Sequence, residues 1–155
     1  YYDSESPGCH LDIVPFATFE KWGRMPKSQQ QTLRQLSGST LGYIVRQSSL
    51  AVLLLNGSSV VREFEACTRI QFDELPIVGA NLPRSSGKNV VGIGFRGVCD
   101  EIMGTWLARR ILVIGWNHNI QSSFGVTRNA IESITVWVHK QVAEWYESEK
   151  SEASR

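Results

Sequence analysis

The last third of the chain constrains the fold more than any other part. Residues 88–96 form a glycine-rich apolar segment that reads as a strand, and residues 109–116 form a second, more continuous apolar strand. A polar turn over residues 117–125 leads into a long amphipathic helix beginning at Thr127. Thr127 suits an N-cap, with Val126 and Ile131 at the positions of a hydrophobic staple. Ile131, Ile134, Val138, Val142 and Trp145 fall on one helical stripe, widened by Trp137. Two apolar strands followed by a one-sided helix bury their surfaces by layering helix on sheet.

The earlier part supplies the other elements. Residues 1–15 read as an irregular arm rich in Ser, Pro, Gly and acids, and residues 16–148 as one domain. Phe16, Phe19 and Trp22 have helical spacing, but Gly23 and Pro26 stop the turn. A helix capped by Ser28 is predicted from about residue 29, with Leu33, Leu36, Thr40 and Ile44 on one face. Gly38 and Gly42 within it predict either close packing or a break near residue 38. Residues 50–55, Asn56-Gly57 and residues 60–66 predict a β-hairpin whose first strand is central. Residues 67–87 read as loop, with a short strand at about 68–72. Residues 97–108 read as an irregular connection or a turn of helix. The helix is expected to fade after about Ser148 into a disordered tail, residues 149–155. The fold class is therefore α+β: an antiparallel sheet of about five strands with N-terminal and long C-terminal helices packed against it.

Composition narrows the function. The chain has 155 residues, the size of one ordinary domain, and a formal net charge of +1. That balance argues against a nucleic-acid binder, whose footprint is strongly basic. Arg109-Arg110 is an isolated basic pair that reads as a solvated strand edge. No apolar run approaches the ~20 residues of a membrane span. Cys9, Cys67 and Cys99 are odd in number and widely spaced, which fits neither a disulfide framework nor a zinc pattern. An intracellular setting is expected, cytoplasmic or organellar after removal of a targeting segment. The start at Tyr1-Tyr2-Asp3 predicts a processed product or an excised piece.

Motifs that could carry chemistry lack their context. Gly92-Ile93-Gly94-Phe95-Arg96-Gly97 matches G-x-G-x-x-G, yet the glycines lie within a strand and no acid follows about 20 residues on. They read as a strand stripped on one face so that a helix or ligand approaches closely. Cys9-His10 is a single pair and does not complete a metal site. Cys99 and His118 could pair as nucleophile and base, but no third orienting residue is marked. No catalytic residue, metal site or cofactor is therefore assigned. Phe95, Cys99, Trp106 and Trp116 stand near the stripped strand as candidate walls of an apolar ligand pocket.

The order of these elements resembles that of GAF domains, small sensory modules related to PAS, over about residues 28–148. The resemblance rests on residues 50–57 after an amphipathic helix, on residues 89–95 and 110–116, and on the polar turn with Phe124 and Thr127 that opens the last helix. Profilin and roadblock-type domains share the same strand–strand–helix ending. The resemblance implies one of two roles. The first is a small-molecule sensor, with a pocket between the sheet and the 66–87 and 97–108 loops. The second is a protein-interaction or assembly module that binds a partner or forms a homo-oligomer through its terminal helices. Ile131, Ile134, Val138, Val142 and Trp145 are then the candidate interface. The segment before Lys88, where GAF domains carry the walls of the ligand pocket, is short here, which favours assembly.

Overall fold

The computed structural model describes residues 8–37, 39–83, 87–121 and 125–153. Among these residues, eight regular elements follow a 3-10 turn at Trp22–Arg24. They are α1 (Lys27–Ser37), α2 (Thr40–Gln47), β1 (Val52–Asn56), α3 (Ser58–Cys67), β2 (Asp73–Pro76), β3 (Ile93–Ile102), β4 (Thr105–Trp116) and α4 (Arg128–Ala153). The class is α+β, with one sheet of four strands in the order β1-β4-β3-β2. It is mixed, not a five-stranded antiparallel sheet: β1 runs parallel to β4, and the other pairs are antiparallel.

The sheet separates two cores. On one face α2 and α3 bring Leu41, Val45, Val61 and Phe64 against Leu55, Cys99, Ile102, Leu107, Ile111 and Val113. On the other, α4 brings Ile134, Val138 and Trp145 against Leu112, Ile114 and Trp116. The alternation of strand side chains sends neighbouring residues of β4 into opposite cores, which is why Ile111 to Trp116 are all buried.

The predicted hairpin at Asn56-Gly57 does not form. Gly57 N–H donates to Trp116 O and Ser58 N–H to Asn117 O, so the chain stays on β4 and then rises into α3. The segment after Gly57 buries Val61 and Phe64, three residues apart, which is a helical period. Their burial over the sheet outweighs the strand preference of Val60-Val61. Parallel pairing also moves β1 from the predicted centre of the sheet to its edge. The hairpin lies at Met103-Gly104 instead, inside the segment predicted to be a loop. Both residues have positive φ, 49° and 79°, as a type I′ turn requires. Residues 97–108 are thus two strand ends and a tight turn. Ala108, also at positive φ (59°), accompanies the register shift between Cys99 and Glu101.

The predicted N-terminal helix is two helices, and Gly38 lies outside the described residues. Leu36 and Ile44, expected on the buried face, are exposed, while Leu41, Gly42 and Val45 are buried. A Cβ on Gly42 would run into the Ile102 carbonyl and sit 2.7 Å from Thr105 Cβ, so glycine lets α2 lie on the β3–β4 turn. α1 begins at Lys27, before Ser28, and Gln30 N–H donates to Pro26 O. The buried Gln30 amide donates to Trp22 O (2.8 Å) and Met25 O (3.0 Å), fastening the approach to the helix. β2 lies at Asp73–Pro76, just past the predicted strand. Ile77 N–H donates inward to Gly92 O, so by alternation the Pro76 nitrogen faces the outer edge, where no ladder donor is needed. Thr127 caps α4, accepting from Ala130 N–H at 3.2 Å. α4 continues past Ser148 to Ala153, held there by Arg110, which pairs with Glu149 and Glu152.

Candidate functional site

The four residues predicted to line one pocket are split by the sheet. Phe95 and Cys99 face the α2–α3 core, where Phe95 meets Phe72 edge-on at 6.1 Å. Trp116 is buried in the α4 core, its indole N–H donating to Asn56 Oδ1 at 3.0 Å. Trp106 is 58% exposed near the hairpin tip. The glycines do not open the strand to a ligand. The Trp137 ring of α4 occupies the place of a Cβ on Gly94, Ala80 that on Gly92, Ile70 that on Gly97 and Val61 that on Gly115. These glycines are contact points for the chain's own side chains on both faces.

Cys99 and His118 are not brought together. Cys99 is paired across the sheet with Ile111, five strand residues (roughly 16 Å at ~3.3 Å per residue) short of the end of β4 at Trp116, and His118 lies beyond that end. Burial, with a smaller contribution from the Asp100 charge, pushes the Cys99 thiol up to about 11, so it holds its proton at neutral pH. The Cys67 thiol is also raised, first by burial, with Arg34 opposing and Glu63 adding to the shift. His118 is buried, and its Nε2 lies 2.7 Å from Ala80 O. Its ring fastens the β4 exit to the loop after β2.

Several polar groups near the β1 and β4 ends are similarly occupied. Asn56 Oδ1 also accepts from Ile120 N–H, and its amide donates to Asn119 Oδ1. Asn117 accepts from Ile93 N–H and donates to Val91 O, closing the same corner. Arg109 is not a solvated edge residue: its guanidinium donates to the carbonyls of Val45, Arg46, Ser48 and Leu50. It caps the C-terminus of α2 and ties that end to β1. Among the described residues no group of three His, Cys, Asp or Glu side chains is placed to hold a metal ion. No described helix is long and apolar enough to cross a membrane.

The candidate interface residues of α4 divide in the same way. Ile134, Val138 and Trp145 are buried on the chain's own sheet, Val142 is half-buried beside them and Ile131 is at the margin. The surface that α4 leaves open is its flank. There a groove of about 810 Å³ runs between α4 and the segment at β2, lined by Leu75, Ile77, Val78, Val136, Trp137 and Lys140 among others. Val78 (91% exposed) and Val136 (70%) form its apolar rim. A smaller cavity of about 370 Å³ lies between the N-terminal arm and α3, walled by Leu11, Ile13, Phe16, Trp22, Val60 and Glu63. Arg34 stacks 5.4 Å from the centre of the Trp22 ring and pairs with Glu63 beside it. Sequence reasoning missed both sites because one wall of each comes from a segment with no regular periodicity, the loop after β2 and the irregular arm.

No family model, no curated protein and no solved structure matches the chain.

Proposed function

We propose that the chain is a non-catalytic protein-interaction module that receives an apolar segment of a partner in the groove between α4 and β2. The observation that carries this reading is the exposed apolar lining of that groove, Val78 from the loop after β2 and Val136 from α4 both open to solvent. Trp137 supplies a flat apolar floor, and Glu132 and Lys140 supply charges of both signs at its borders. A GAF-like, PAS-related fold goes with the proposal, supported by the closing β3–β4–α4 order. Selection of peptides from a random library against the immobilised protein tests it. Selected peptides should lose binding at least tenfold on Val136→Asp and keep it on Val91→Asp, a control outside the groove. Failure to select a binder, or binders indifferent to Val136→Asp, would refute the groove reading.

A second reading, a small-molecule sensor, is favoured by the cavity beneath the arm. At about 370 Å³ its volume falls within the range of small-ligand sites, and its walls combine apolar side chains with His10 and two carboxylates, Asp12 and Glu63. Small-molecule hits that perturb the Val60 and Trp22 resonances would favour it over the groove.

A further inference from the structure

The two edges of the sheet are treated differently. The β2 edge is guarded in two ways: it carries Asp73 and Glu74, and the Pro76 nitrogen on its outer side has no proton to donate. The β1 edge has none of these devices. Leu112 N–H donates to Ala51 O and Gly57 N–H to Trp116 O, so the odd-numbered residues of this stretch bond inward to β4. By the alternation of a parallel ladder, the N–H and C=O groups of Val52, Leu54 and Asn56 point away from the sheet. No charged residue lies between Arg46 and Arg62. Leu54 is 55% exposed on the α4 face, although the strand is Val-Leu-Leu-Leu-Asn.

We infer that this edge pairs with a second copy of the chain. Two β1 strands related by a two-fold axis run antiparallel, the arrangement in which the outward groups of each strand meet those of the other. With the axis at Leu54, Leu54 faces its own copy, and Val52 faces Asn56 of the copy at each end. The four-stranded sheets then join into one of eight strands. The exposed half of Leu54 is covered by the same residue from the other side. Charge decides the occupant. Edge strands repel their own copies with like charges. Here residues 47–61 are uncharged, so no charge on the strand itself opposes self-pairing. Five residues per edge is small against the ~1,000 Å² of a durable interface, so the association is expected to be weak, with a Kd on the order of 10–100 µM.

The inference shares the interaction reading but uses the opposite edge of the sheet from the groove, so either can fail alone. Sedimentation of the full chain up to about 500 µM should show a shift from one chain to two. Leu54→Lys should weaken the dimer at least tenfold, with the circular dichroism spectrum unchanged. Leu54→Cys, in a Cys9→Ser background, should form a disulfide-linked dimer on mild oxidation, because hydrogen-bonded antiparallel partners place Cα atoms ~5.5 Å apart. Val91→Cys in the same background should not. A monomer throughout the concentration range would overturn the inference. So would a dimer that Leu54→Lys leaves intact and Leu54→Cys does not trap.

Discussion

Arg109→Met removes the guanidinium while keeping most of the aliphatic stem that lies along the protein. The head group serves four carbonyls. Nη2 donates to Val45 O and Ser48 O at 2.7 Å and to Leu50 O at 3.1 Å, and Nη1 donates to Arg46 O at 3.2 Å. Hydrogen bonds to a charged donor contribute about 1.5–3 kcal/mol each in isolation. They are not additive here, because one group makes them all and water reaches part of the site once it is gone. The favourable charge at the C-terminus of α2 adds ~0.3–1 kcal/mol. The expected net loss is therefore about 2–4 kcal/mol. Arg109→Lys restores the charge but not the fork, so it should recover ~1 kcal/mol at most. Arg110→Met is the control: Arg110 itself is half-exposed and its partners Glu149 and Glu152 lie at the surface end of α4, so the loss should stay at about 1 kcal/mol or less. Urea unfolding followed by tryptophan fluorescence measures all three, as a shift in midpoint at constant slope. If Arg109→Met and Arg110→Met fall within about 0.5 kcal/mol of each other, the capping role of Arg109 is wrong.

Two further outcomes follow from the core. Gly94→Ala drives a methyl group into the Trp137 ring and should destabilise the fold by about 1–3 kcal/mol; in a Trp137→Leu background the same change should cost clearly less, and an additive double-mutant cycle would break the argument. Thiol titration should find Cys9 reactive at once, Cys67 slower, and Cys99 reactive only on unfolding. Folded Cys99 keeps its proton up to about 11, whereas an unfolded thiol loses it near 9.0. The unfolded state therefore binds fewer protons in that window, and stability should fall as pH rises through it. A flat unfolding midpoint between these pH values, with Cys99→Ser indistinguishable from the parent, would contradict this.

The sequence alone was sufficient wherever one element carries its own signal. Thr127 and the stripe of Ile134, Val138 and Trp145 mark α4 because capping and the helical period are local properties. Ile111 to Trp116 mark β4 because a run of that length without charge has to be buried on both faces. The strand-pairing partners were decided elsewhere. Asn56-Gly57 carries the strongest hairpin dipeptide in the chain, yet it opens a helix, because Val61 and Phe64 bury more surface over β4 than as one face of a strand. Met103-Gly104 carries only half of such a signal, yet it turns the longest hairpin, because β3 and β4 on either side hold it in register. The pocket residues show the same limit. Phe95 and Trp116 are near neighbours in sheet register, because Trp116 pairs with Gly94, but the alternation of strand side chains puts Trp116 in a different core from Phe95 and Cys99.

What the sequence determined by itself is the class of the fold, its closing strand–helix unit and the places where glycine was required. What only the tertiary structure decided is which surface each glycine meets, which strand is left at the edge, and that Arg109 faces carbonyls rather than water. The physical reason is the range of the interactions. Helix period and capping act within a few residues, whereas Arg109 and Val45 are 64 positions apart. Val52 and Leu112, paired across the sheet, are brought together only when both cores close at once.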